Sequence, residues 1–185
     1  MTTTTPWPVP EHRRTTRGFT LVEVMIAGII GTFLMLGVLT TFLFLGRSGA
    51  NIANYSEMEF QSRKALELFA EDTRQASSIT WNSTTSVTLI VDAQAITWSY
   101  AGASLSRQAG SATPITMITG ITSFAFTAYD ITGAQVALSD LTAAGKVTKQ
   151  LQISLQASRS SQTVTTATNL VLSARYILRN KRVTA

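Results

Sequence analysis

Glu23 is the one charged side chain among the 27 residues from Phe19 to Leu45. A carboxylate in a membrane-length apolar run costs about 2.5–3.5 kcal/mol at the centre of the bilayer and less toward an end. An acid retained in such a place is a functional candidate that calls for a partner. Little other reactive chemistry is available. The chain has no cysteine, which removes disulfides, thiolate nucleophiles and Cys-type zinc sites. His12 is the only histidine, so a Ser-His-Asp or histidine–metal site cannot form in the body of the protein. Gly-x-Ser-x-Gly, P-loop, His-Glu-x-x-His and EF-hand patterns are all missing. Asp130 and Asp140 have the oxygen chemistry for calcium, but a turn initiator and a loop cap are the simpler roles. No enzyme activity, cofactor or metal is expected.

The charge pattern points to topology. The formal net charge is +5, and its placement is uneven. Arg13, Arg14 and Arg17 against Glu11 leave the first 18 residues at +2, and Arg175, Arg179, Lys181 and Arg182 put +4 at the C-terminal end. The stretch between is close to neutral, unlike the basic folded face, interleaved with aromatics, of a nucleic-acid binder. As a helix, residues 19–45 would span roughly 40 Å, against about 30 Å of hydrocarbon. That is longer than a secretory signal core of about 7–15 residues. The leader arginines would hold the N-terminus in the cytoplasm and send the rest outward.

The residues around the acid carry a resemblance. Arg17 followed by Gly18-Phe19-Thr20-Leu21-Val22-Glu23 and an unbroken apolar run is similar to the processing site of type IV prepilins. The resemblance implies cleavage after Gly18 by a prepilin peptidase, N-methylation of the new terminal Phe19, and Glu23 as fifth residue of the mature chain. It further implies that Glu23 meets a neighbouring subunit's amine and sets axial register. An amine and a carboxylate in a low-dielectric bundle attract strongly, and Phe19 and Glu23 are also four apart within one helix. Ala27 and Gly31 form a small-xxx-small pair, with Gly28 a further close-approach position, although glycine is also simply tolerated in membrane helices. No proline lies between Pro10 and Pro114, unlike many pilins; Gly37 with Thr40 and Thr41 is the candidate for loosening the helix instead.

Beyond Gly46, Ile52, Tyr55, Met58, Ala65, Leu66, Phe69 and Ala76 recur on one helical face, so the helix is expected to run to about Ala76, with a break in residues 46–49 weighed. Glu71, Asp72 and Arg74 are expected as exposed helix pairs. From Ile79 the pattern is β: residues 87–91, 95–100, 104–107, 121–129 and 135–138, then two long strands at 146–157 and 163–176, with Gly145 in a loop before them. Turns fall at 92–94 and 101–103, and Trp81 and Trp98 read as sheet core. Connections this short make the sheet mainly antiparallel. The expected fold is α+β: a long N-terminal helix, half membrane-spanning and half amphipathic, on a mainly antiparallel sheet. The expected parts are a leader (1–18), an assembly helix (19–46), its amphipathic continuation (47–78) and a β domain (79–185).

This layout resembles a pilin. Residues 66–76, Ile96-Thr-Trp-Ser-Tyr100 with Leu105-Ser-Arg107, Ile121 to Phe126 with Tyr129-Asp130, and Leu178-Arg-Asn180 are similar to the J-type minor pseudopilins of type II secretion and the W-type minor pilins. The resemblance implies a structural subunit of a pilus or pseudopilus in the bacterial inner membrane, its body in the periplasm or on a filament. Implied partners are the prepilin peptidase and methylase, other pilin or pseudopilin subunits, the inner-membrane assembly platform, and membrane lipid before assembly. The basic tail reads first as solvated, with DNA, as in competence pilins, or anionic lipid as other uses. A bitopic anchor carrying a periplasmic binding domain is the rival from another class.

Overall fold

The computed structural model describes residues 18–159 and 168–182. Helix α1, Leu21–Gln75, is unbroken through residues 46–49, although both glycines there would leave room for a side chain. The chain divides into two compact units, one ending at Leu45 and the other comprising Gly46–Ala185.

In the first unit every described side chain is exposed, including Phe33, Leu34, Phe42 and Phe44. Among the described residues, α1 is the one helix long and apolar enough to cross a membrane. The threonines of the apolar part return their hydroxyl protons to the helix backbone, Thr32 to the Gly28 carbonyl at 2.8 Å and Thr40 to the Leu36 carbonyl at 2.8 Å. These hydroxyls are therefore satisfied without water, as a lipid environment requires.

The second unit contains the outer part of α1 and two antiparallel sheets. The first sheet comprises β1 (Ser78–Ser83), β2 (Ser86–Val91), β3 (Gln94–Ala101), β4 (Ser104–Ala109) and β5 (Ile115–Thr119), paired in chain order. The chain then crosses to a second sheet with β6 (Ile121–Tyr129) and the two-residue β7 (Gln135–Val136). Helix α2 (Leu141–Val147) intervenes before β8 (Gln150–Arg159) and β9 (Thr168–Ile177), and the order across this sheet is β7-β6-β8-β9. Alternation decides the faces: Val87, Leu89 and Val91 point inward from β2, and Leu151, Ile153, Leu155 and Ala157 from β8.

Phe69 organises the core. It is fully buried, edge-on to Trp98 at 5.3 Å and stacked on Phe126 at 5.9 Å between ring centroids. One α1 side chain thus touches both sheets, and burying a ring of this size contributes about 1.5–3 kcal/mol. The crossing between sheets depends on Gly120. Its φ is +75°, and a Cβ there would lie 2.7 Å from the Ser158 carbonyl oxygen. The Ser158 amide donates back to the Gly120 carbonyl at 2.8 Å.

The α+β layout and the antiparallel pairing agree with expectation, as do the turns after Val91 and Ala101 and the burial of Trp81 and Trp98. Five details differ, the first being β5 (Ile115–Thr119), which the expected strands do not include. The β region forms two sheets rather than one, because Gly120 permits the abrupt change of direction. Gly145 and Lys146 lie in α2, not in a loop and strand: Asp140 caps that helix, its Oδ1 accepting the Thr142 and Ala143 amides at 3.0 Å. β7 is shorter than residues 135–138. Ile52 and Tyr55 are exposed, so the buried stripe of α1 starts at Met58. The expected start of the last strand at Thr163 lies outside the described residues.

Candidate functional site

The N-terminal end of α1 brings together most of the residues that the sequence singles out. Gly18, Phe19 and Thr20 are not helical, and the helix starts at Leu21. The reason is a reciprocal cap. The Glu23 amide donates to Thr20 Oγ1 at 3.2 Å, while the Thr20 amide donates to Glu23 Oε2 at 3.1 Å. The Thr20 hydroxyl also donates to Glu23 Oε2, at 3.2 Å. The Val24 amide takes the Thr20 carbonyl at 3.2 Å, closing the first turn. A Thr-x-x-Glu box of this kind satisfies two otherwise orphaned backbone donors. It also places the carboxylate at the positive end of the helix dipole. Glu23 therefore has hydrogen-bond donors within its own chain, which lowers the cost of keeping it. The Thr-x-x-Glu spacing encodes this cap, alongside the amine partner expected for Glu23.

Phe19, Glu23, Val24, Ala27 and Gly28 line a shallow groove of about 560 Å³. Its walls are almost wholly apolar apart from the carboxylate. Phe19 is 87% exposed. Gly28 and Gly31 have open space where a Cβ would stand. Among the described residues nothing fills that space, so a second helix can approach closely there. The arrangement can bind an apolar rod and offer it one anion. Arg13, Arg14 and Arg17 lie outside the described residues.

A second cluster fixes the outer part of α1 to the sheets, and here expectation is corrected. Asp72 is buried rather than paired on the helix surface. It accepts Arg107 Nε at 2.8 Å and Nη2 at 2.9 Å, and Trp98 Nε1 at 2.8 Å. The hydrogen bond to Asp72 raises the Arg107 guanidinium above its ordinary value, with the carboxylate's charge adding to it against the effect of burial. This bidentate pair spans helix to β4 and has no local sequence signal. Glu71 and Arg74 do remain exposed.

The C-terminal segment is also tied down. Lys181 is 6% exposed and donates to the Lys146 and Thr148 carbonyls at 2.7 and 2.8 Å, closing the C-terminal end of α2. Burial lowers its ammonium from the ordinary lysine value, with repulsion from Lys149 adding to the effect. Asn180 donates to the Gln75 carbonyl at 3.1 Å, at the end of α1. So the basic tail is not wholly solvated; Arg179 and Arg182 are exposed and Lys181 is not. Asp130 holds its own turn, Oδ1 accepting the Thr132 amide at 2.8 Å, its hydroxyl at 2.7 Å and the Ala134 amide at 2.9 Å. These bonds, the Thr132 hydroxyl foremost, lower its carboxyl below the usual range.

Residues 13–39 match the family model described as the prokaryotic N-terminal methylation motif. The match covers the capped helix start, Glu23, and the small residues after it. The chain thus carries a type IV pilin-like prepilin motif. No curated protein matches the chain.

Proposed function

We propose that this chain is a structural, minor subunit of a type IV pilus or a type II secretion pseudopilus. A prepilin peptidase cuts it after Gly18 and methylates Phe19, and it assembles through α1 with other pilin-like subunits on an inner-membrane platform. In this reading residues 1–18 stay in the cytoplasm as a leader, residues 19–46 cross the membrane, residues 47–78 continue the helix, and residues 79–185 form the exported body. The observation that carries it is the capped helix start, where a non-helical Gly18-Phe19 junction precedes a lone carboxylate and an exposed apolar rod within the methylation-motif match.

The chemistry follows from that geometry. Non-helical backbone at Gly18 and Phe19 is accessible to a peptidase without unwinding a helix. Cleavage creates an α-amine on Phe19, four residues before Glu23. A carboxylate already held by Thr20 receives that amine at little further ordering cost. In a bundle the same carboxylate meets a neighbour's amine and marks one axial position along a uniform apolar surface. Ala27, Gly28 and Gly31 let the rods approach there. Assembly work comes from an ATPase elsewhere in the machine.

Mass spectrometry of the full chain, with and without the matching peptidase, tests this. The expected result is loss of residues 1–18 with gain of one methyl group, abolished by Gly18→Ala. A full-length membrane protein indifferent to Gly18→Ala would make the chain a bitopic anchor instead.

A further inference from the structure

Four strands lie at sheet edges: β1 and β5 in the first sheet, β7 and β9 in the second. Exposed edges attract other strands, and proteins blunt them with short strands, bulges, proline, charge or cover. Three of the four are blunted here. β7 has two residues. α2 lies against β1, where a Cβ on Gly145 would stand 3.2 Å from the Ile79 carbonyl, and the β1–β2 register shifts near Trp81. β5 has five residues, and its pairing with β4 contains a register shift.

β9 is long, unbulged and without proline, and Arg175 is its one charged residue. It runs ten residues, Thr-Asn-Leu-Val-Leu-Ser-Ala-Arg-Tyr-Ile, and pairs with β8 in an unshifted register from Arg159↔Thr168 to Gln150↔Ile177. Among the described residues nothing pairs with its other side. The Leu178 amide donates to the Lys149 carbonyl at 2.9 Å, in line with that register. Hydrogen-bonded positions alternate along an antiparallel ladder. The even-numbered residues of β9 therefore bond to β8. The amides and carbonyls of Asn169, Val171, Ser173, Arg175 and Ile177 point to the free edge.

Beside β9 the core surface continues into a groove of about 450 Å³ against α1. Leu66, Ala70 and Tyr176 line it, with the exposed carboxylates of Glu67 and Glu71 and the guanidinium of Arg74 around them. Arg74 is engaged over the Tyr176 ring at 5.6 Å, and neither glutamate has an ion-pair partner among the described residues. The groove is thus apolar below, with two acids and one base at the rim, next to a row of backbone donors and acceptors that are unpaired among the described residues.

We propose that the free edge of β9 receives an extended strand from another pilin-like subunit, seating an apolar residue on Leu66, Ala70 and Tyr176 and a basic residue against Glu67 and Glu71. The backbone row selects an extended segment, the alternation of a strand delivers one side chain to the groove, and the two glutamates, which outnumber Arg74 at the rim, select the charge. This inference rests on the assembly reading above.

The test uses the full-length chain in cells that assemble the filament, with a photo-crosslinking residue at Ser173. The expected product joins this chain to a second polypeptide with its own prepilin start, through a peptide of alternating apolar pattern containing Lys or Arg. Val171→Pro removes an edge amide without touching the β8 ladder and should cut the yield roughly tenfold or more. Val171→Thr, which keeps that amide, should not. Glu67→Lys with Glu71→Lys, both on an exposed helix face, should cut it comparably. The proposal is overturned if filaments contain the chain without such a product, if the product is a second copy of this chain, or if these variants leave the yield unchanged. Failure of cleavage after Gly18 overturns the assembly reading itself, whereas normal maturation with unchanged yields overturns the strand proposal alone.

Discussion

Replacing Arg107 by methionine removes both hydrogen bonds to Asp72 while keeping most of the side chain's apolar stem. Asp72 is 4% exposed, so its carboxylate is left in the core with only Trp98 Nε1 as a partner. Breaking a buried ion pair on one side costs about 3–5 kcal/mol, because the surviving charge has lost its compensation. That is a large part of a total stability of about 5–15 kcal/mol. Asp72→Leu costs less, about 1–3 kcal/mol: Arg107 is partly exposed and can turn to water, but Trp98 Nε1 loses its acceptor. The combination Asp72→Leu with Arg107→Met should then be more stable than Arg107→Met alone. Urea unfolding of the full chain in detergent, followed by tryptophan fluorescence, reads this directly, since Trp98 sits on the pair. The reasoning fails if Arg107→Met lies within about 1 kcal/mol of the parent, or if the double variant equals the sum of the two singles.

The helix cap predicts that Thr20→Ala loses about 1 kcal/mol at the start of α1. The Glu23 amide should then exchange its hydrogen roughly fivefold faster in micelles, while Thr20→Ser stays near the parent rate; equal rates for all three would show that the box does not hold. Lys181 predicts a pH dependence. Its ammonium is lowered from 10.5 by burial, so from the folded value up to 10.5 the unfolded chain binds more protons and stability rises with pH. Unfolding free energies measured from pH 7 to pH 10 should show that rise in the parent, and Lys181→Met should flatten it.

The signals that were legible in the sequence are short-range. The Gly18-Phe19 junction, the lone Glu23, the apolar run and the β alternation from Val87 onward all concern residues within a turn of helix or a pair of strands. Their physics is decided by neighbours a few positions away: desolvation of one acid, the period of side chains about a backbone axis, the φ of a turn. Even the Thr20 box belongs here, since its donors and acceptors are three residues apart.

The tertiary structure decided the rest. Asp72 reads as one more charge on a polar helix face until β4 carries Arg107 to it from 35 positions along the chain. Lys181 reads as a tail cation until β9 returns it to the end of α2, and the two sheets read as one until Gly120 meets the Ser158 carbonyl. In each case the energy depends on which groups lose water together. Desolvation is set by three-dimensional neighbours that no local pattern encodes, whereas the amphipathic period and the glycine–phenylalanine junction are written wholly in residue order.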